Sequence, residues 1–301
     1  MKTKILVIVM ILFFGCRKDD FSPVGNYEKR AVAFAVLDNR MGNQIIKVQS
    51  LYPDKDNISL LEKRITNLKV NLSDGNNNFP FRDTIIQGSE NFSYFTSGNF
   101  NINRGSKYWL TISGDDIPTA TSEIITPRAQ DITLYYASDK IQLKYSKYSS
   151  VKGFLHHYYV EFYIREGNKI IQNYRVEIPS ELRIINDGKD TIRIYPALTK
   201  ENNHIFSYSS LFTELEKYKP EAINRKLVVK RTIATVLSLD YNLYNYVSTV
   251  RGFSDPVSVR LDQINYSNIA NGYGVFGAVA IDSVIEKIPA FLVQGFGFES
   301  E

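Results

Sequence analysis

The chain has 301 residues, 44% of them hydrophobic and 23% charged, with 17 Gly, 10 Pro and a formal net charge of +4. These proportions exclude a disordered tail, a collagen-like fibre and a small disulfide-stapled scaffold, and so weak a charge does not require a nucleic-acid partner. One cysteine excludes an intrachain disulfide and a thiolate metal cluster, and three histidines leave few parts for imidazole catalysis.

Lys2 and Lys4 precede an unbroken apolar run from Ile5 to Phe14, followed by Gly15 and Cys16. As a helix that run measures about 15 Å, half of a bilayer core of roughly 30 Å, so it reads as a secretory h-region and not as a membrane span. Cys16 stands where a bacterial lipobox places its acylated cysteine, with Phe14 in place of the usual small residue two positions earlier. The expectation is a signal peptide over 1–15, then a lipidated Cys16 at the head of a linker over 16–27. Two or more acyl chains would anchor such a body stably to the outer membrane. Arg17, Lys18, Asp19 and Asp20 resemble the surface-export signal of Bacteroidota lipoproteins, which implies the cell surface; the periplasmic face is the alternative.

Beyond Pro23 and Gly25 the dominant period is two. Lys69 to Ser73, Lys107 to Ile112 and Lys140 to Tyr145 alternate polar and apolar, and turn clusters such as Asp74 to Asn78 and Ser113 to Asp116 separate such runs. Short strands punctuated in this way predict a mostly β chain of sandwich type. Thr126-Pro127-Arg128 interrupts the pattern, dividing a β-sandwich domain over 28–127 from a larger β-rich domain over 128–301. In the second, Phe154 to Arg165 and Ile170 to Ile178 predict a hairpin across Glu166 to Lys169. Two short helices are expected. Ser209 to Tyr218 carries Leu211, Leu215 and Tyr218 at helical spacing, and Asp240 can N-cap a run with Leu243, Tyr246, Val247 and Val250 on one face.

Chemistry-bearing motifs are scarce. Asp74, Asn76 and Asn78 match the start of a calcium loop, but Phe79 replaces its obligatory Gly and Ile85 its final Glu, so a solvated turn is expected. Asp115-Asp116 reads as a solvated pair. Adjacent His156 and His157 point to opposite faces of a strand and cannot chelate together; one of them is expected in the core and His204 in a polar loop. Neither a Gly-x-Ser-x-Gly elbow nor an HExxH run occurs. Gly272, Gly274 and Gly277 lack nucleotide-loop spacing and suit a strand with a bulge or a close backbone approach. Tyr145, Tyr148, Tyr158, Tyr159 and Tyr163, with Tyr241, Tyr244 and Tyr246, are expected mainly to pack the sheets, and Trp109 to lie in the first core in preference to serving as a sugar platform. Arg225-Lys226 and Lys230-Arg231 bracket Leu227-Val228-Val229, which reads as an edge strand with charged ends. No catalytic residue, cofactor or metal is expected.

In order along the chain, the lipobox cysteine, the Ile65 to Leu72 strand, the Gly105 to Ile112 strand and the Tyr266 to Ala278 segment resemble an uncharacterised Bacteroidota family of outer-membrane lipoproteins, often encoded beside TonB-dependent transporters. The resemblance implies an immunoglobulin- or transthyretin-like first domain and a TonB-dependent transporter as partner. Thr84, Thr191 and Ser283, each following an Asp, resemble Bacteroidota O-glycosylation sites. The leading expectation is therefore a lipid-anchored, non-catalytic accessory protein of an uptake system. A fimbrillin-like adhesive subunit, processed at Lys29-Arg30, and a surface hydrolase with paired carboxylates are the alternatives.

Overall fold

The computed structural model describes residues 29–51, 67–84, 93–98, 100–179, 183–186, 191–194, 198–249 and 266–301. Its first seven strands are β1 (Arg30–Asp38), β2 (Ile45–Leu51), β3 (Lys69–Ser73), β4 (Asn78–Thr84), β5 (Ser93–Thr96), β6 (Lys107–Gly114) and β7 (Ile117–Ile125). There follow β8 (Ile132–Tyr136), β9 (Ile141–Tyr145), β10 (Gly153–Glu166), β11 (Lys169–Glu177), β12 (Arg183–Asn186), β13 (Thr191–Ile194) and β14 (Asn203–Phe206). Helix α1 (Tyr208–Glu216), β15 (Arg225–Leu239), α2 (Tyr241–Thr249), β16 (Tyr273–Glu286), α3 (Ala290–Gly295) and β17 (Glu299–Ser300) complete the order. One sheet path runs β11-β10-β15-β16-β1-β2-β5-β4-β3-β6-β7, with β17 beside β15; β14-β9-β8 and β12-β13 form separate sheets. The chain is predominantly β, as its period-two patterning predicts. Among the described residues no helix is long and apolar enough to cross a membrane.

β1 is the apolar run RAVAFAVLD, and both of its faces are covered. Ala31, Ala33, Ala35 and Leu37 enter one core, while Val32 and Phe34 enter another. A strand hidden on both sides needs apolar residues at every position, so strict alternation is absent here. It pairs antiparallel with β2 and parallel with β16. The first core closes because β4 turns a corner: residues up to Phe81 pair with β3, and those from Arg82 pair with β5. The sheet path thereby folds over, setting Leu72, Tyr108 and Leu110 into one cluster with Ala33, Val48, Phe276 and Ala278.

The second core lies under the hairpin expected from sequence, whose turn is Gly167-Asn168 with Gly167 at φ +57°. Phe154, Tyr158, Val160 and Phe162 of β10 join Ile141 and Leu143 of β9, Phe206 of β14 and Leu211, Phe212 and Leu215 of α1. Ser207 caps α1 by accepting from the Ser209 N–H at 3.1 Å. A third cluster seats Leu243, Tyr246 and Val247 of α2 on Val32, Phe34, Val275 and Val279. The N-cap is Asp240, as expected: its buried carboxylate accepts from the N–H groups of Asn242 (3.3 Å), Leu243 (2.9 Å) and Ala278 (3.0 Å), bonding the helix start to β16.

Two expectations are corrected. β15 is no edge: β10 pairs with it from Arg225 to Leu239, and on its other side lie β17 at Val228 and Val229 and β16 from Thr232 to Leu239. Its register skips Lys230, so the core positions change from Leu227 and Val229 to Ala234 and Val236 across the bulge. Carboxylates answer its charges, with Arg231 on Glu161 at 2.6 Å and Lys226 on Glu299 at 2.9 Å. His204 is not in a polar loop either. It sits on β14, where alternation turns its ring inward and leaves Ile205 exposed. There it stacks on buried His156 with ring centroids 4.7 Å apart. The Tyr145 hydroxyl donates to the Glu201 carbonyl at 2.6 Å, so it accepts from His156 Nε2, also at 2.6 Å. His157, on the opposite face, reaches Glu177. Tyr145, Tyr158 and Tyr246 are buried, in keeping with a packing role, whereas Tyr241 is exposed beneath Lys152.

Gly274 has φ +103°, and a Cβ there would stand 2.0 Å from the Ala33 carbonyl oxygen. Gly274→Ala is expected to cost about 3 kcal/mol or more, from left-handed strain plus overpacking against backbone, read as a lowered urea midpoint. Burial, with neighbouring His204 and His157 adding to it, holds His156 well below its ordinary 6.5. The unfolded chain therefore takes up a proton that the folded one refuses, and this group removes stability as pH falls below 6.5. Asp240 acts oppositely: burial pushes its carboxyl to about 6, so its contribution improves as pH drops through that value. Comparing native protein with His156→Phe isolates the histidine; the variant's urea midpoint should fall less between about pH 7 and about pH 5.

Candidate functional site

Cys16, expected to carry lipid, and Lys18, Asp19 and Asp20, expected to direct export, lie outside the described residues, as does the side chain of Thr191. Thr84 bonds Thr96 through their hydroxyls at 3.0 Å, and exposed Ser283 bonds Thr235 at 2.9 Å. Asp282, before Ser283, is engaged: it pairs with Arg104 and accepts from the Gln130 N–H at 3.0 Å. Asp74 makes a hairpin turn, accepting from the Asn76 and Asn77 N–H groups at 2.9 and 2.7 Å, and these donors hold its carboxyl below the usual range. Asp116 faces Lys29 at 3.7 Å. Among the described residues no group of three or more His, Cys, Asp or Glu is placed to hold a metal.

Trp109 is corrected from core to surface. On β6 the inward positions belong to Tyr108, Leu110 and Ile112, and strand alternation sends Trp109 outward, 37% exposed. Register places it opposite Glu123 of β7, with Thr111 opposite Thr121 two residues on. Trp109 Nε1 donates to Glu123 Oε2 at 3.1 Å, and Lys107 Nζ meets the same oxygen at 2.7 Å. Lys107 also lies 5.0 Å from the indole centroid. The ring edge abuts Gly75 in the Asp74 turn, where a Cβ would come within 3.2 Å of the indole and φ is +91°. One indole edge is therefore pinned by a glycine turn and its N–H by a carboxylate.

Beside the indole opens a cleft of about 560 Å³ whose lining includes Trp109 and Thr111 but not Lys107. Trp109, Thr111, Thr121, Glu123, Asn242 and Ala270 line it. Its far wall is the segment before β16, held against the free side of β7 by an antiparallel bridge between Thr121 and Ala270. Asn268 fixes that segment from both ends of its amide: Nδ2 donates to the Phe276 carbonyl at 2.8 Å and to Ser122 Oγ at 3.0 Å, and Oδ1 accepts from the Phe276 N–H at 2.9 Å. Asn242, in the first turn of α2, donates to the Glu123 carbonyl at 3.3 Å and accepts from the Tyr266 hydroxyl at 2.7 Å. Glu123 is held ionised, its carboxyl lowered first by the Lys107 hydrogen bond. The walls thus come from three distant stretches, each fixed by hydrogen bonds. A second cleft, about 620 Å³, lies under the edge strand β11 and is walled by Ile164, Ile171, Tyr174 and Pro220.

A family model described as Domain of unknown function (DUF4249) matches residues 19–284. No curated protein matches the chain. Among solved structures, the FN1–FN3 domains of chicken CNTN1 align at 11% identity over 84% of this chain and 63% of that one, with a TM-score of 0.25. This chain therefore spans less than two thirds of that structure.

Asn268→Ala removes three hydrogen bonds and leaves the Phe276 backbone groups short of partners, which should cost about 2–4 kcal/mol. A urea titration should show the midpoint lowered with the slope unchanged.

Proposed function

The chain belongs to the DUF4249 family, outer-membrane lipoproteins of Bacteroidota, and on that premise we propose that it is a lipid-anchored, non-catalytic accessory protein of a TonB-dependent uptake system. The match over residues 19–284, nearly the whole chain, is the observation that carries this reading. In it Cys16 bears the acyl chains, Lys18, Asp19 and Asp20 direct the body to the cell surface, and the cleft beside Trp109 meets either the transported ligand or the transporter. The chemistry of the cleft favours binding over hydrolysis. Among its lining residues Glu123 is the one carboxylate, and Lys107 and Trp109 already occupy it, whereas glycoside hydrolysis uses two carboxyl groups across one bond.

Solubilising the outer membrane in mild detergent and capturing the protein through a C-terminal tag tests the partnership. Mass spectrometry should find a TonB-dependent transporter in stoichiometric amount. Recovery of the protein alone, or of ladders of itself, would reject the accessory role.

A further inference from the structure

We propose that the Trp109 cleft is a saccharide site that seats a neutral pyranose ring against the indole. The inference deepens the accessory reading by giving its ligand a chemical class, and it takes its biological setting from that reading.

The first observation is the exposure of the indole. A large aromatic on the outer face of a sandwich sheet loses the burial its size would normally secure, and here both of its inward neighbours are packed while it is not. The exposed ring is also held in one orientation, by the Glu123 carboxylate on its N–H and by the Gly75 turn at its edge. A platform fixed before binding loses little conformational entropy when a ligand arrives.

Charge selects the ligand class. Lys107 and Glu123 pair at 2.7 Å at the rim, so the cleft offers neither a spare cation for a phosphate or carboxylate nor a spare anion for an amine. What remains around the indole is hydroxyl and amide: Thr111, Thr121 and Asn242 beside the second carboxylate oxygen of Glu123. A neutral molecule with one apolar face and a belt of hydroxyl groups fits that set. A pyranose is such a molecule, since its axial C–H bonds make an apolar face while its hydroxyls lie at the perimeter, able both to donate to Glu123 and to accept from Asn242. The volume, about 560 Å³, falls within the range of small-molecule sites, roughly 300–1,000 Å³. The cleft is open, so it would accept a residue within a longer chain as readily as a chain end.

Trp109 is the one tryptophan in the sequence, so intrinsic indole emission reads this site directly. The full-length protein, held in a non-glycosidic detergent so that no headgroup sugar competes, would be titrated with maltohexaose, cellohexaose, mannohexaose, N-acetylchitohexaose and hexagalacturonate. At least one of the four neutral oligosaccharides should shift the emission saturably and receive saturation transfer at its ring C–H protons. Trp109→Ala, followed by saturation transfer, should weaken that binding about tenfold or more, the scale of truncating a central aromatic anchor. Trp109→Phe should retain part of it, and Glu123→Gln should alter the order of preference; the unfolding midpoints of all three variants are measured alongside.

Silence from all four neutral probes would overturn the proposal, as would native-strength binding by a folded Trp109→Ala. A preference for hexagalacturonate would overturn the neutral assignment. Transporter capture reports on the accessory role separately: a protein that binds saccharide but captures no transporter loses that role and keeps this site, and the reverse outcome loses this site and keeps the role.

Discussion

The parallel pairing of β1 with β16 is the contact on which the rest of the architecture depends. Seven residues of β1, Val32 to Asp38, lie in register with Tyr273 to Val279, joining chain segments separated by most of the sequence. β16 is flanked on its other side by β15, so the sheet that carries the second core continues through this pair into the sheet that carries the first. The approach is close enough that Gly274 must lack a side chain, and the two strands supply residues to both the first and the third cluster. The first and third clusters are each assembled across this pairing.

Polar side chains secure this junction where backbone pairing ends. Asp240 bonds the start of α2 to β16, Asn268 bonds the segment before β16 to its body and to β7, and Asp282 bonds the far end of β16 to Arg104 and Gln130. Each is a short side chain with at least one hydrogen bond to a group remote in sequence. Such bonds fix register, because a slip of one residue would break the long-range contact of each. The cleft inherits that anchoring, since Asn242 and Ala270 in its wall each stand two positions beyond Asp240 and Asn268.

The β class, the β10–β11 hairpin and both expected helices were legible because each rests on local periodicity and turn chemistry that a single sequence displays. The Asp240 cap was legible for the same reason. The position of β15 was not: charged pairs at both ends of a short apolar run resemble an exposed strand unless the opposing carboxylates, such as Glu161 and Glu299, are known to face them. Trp109 was misread although the signal was present. Tyr108, Leu110 and Ile112 already fill one parity of β6, and a residue of the other parity has to face outward, whatever its hydrophobicity. His204 failed in the same way, with Phe206 marking the buried parity. The cleft itself had no local signature, because β6, the start of α2 and the segment before β16 meet only through long-range pairing.

The direction of β1 has a mechanical consequence. Its chain enters at Arg30 and runs between β2 and β16, hydrogen-bonded on both sides. A force applied at that end would act along the strand and across the two ladders at once. The bonds must then slide together in shear instead of parting one at a time from an end. With Gly274 packed directly on Ala33, a pull at residue 30 would load the fold where the chain is bonded on both sides.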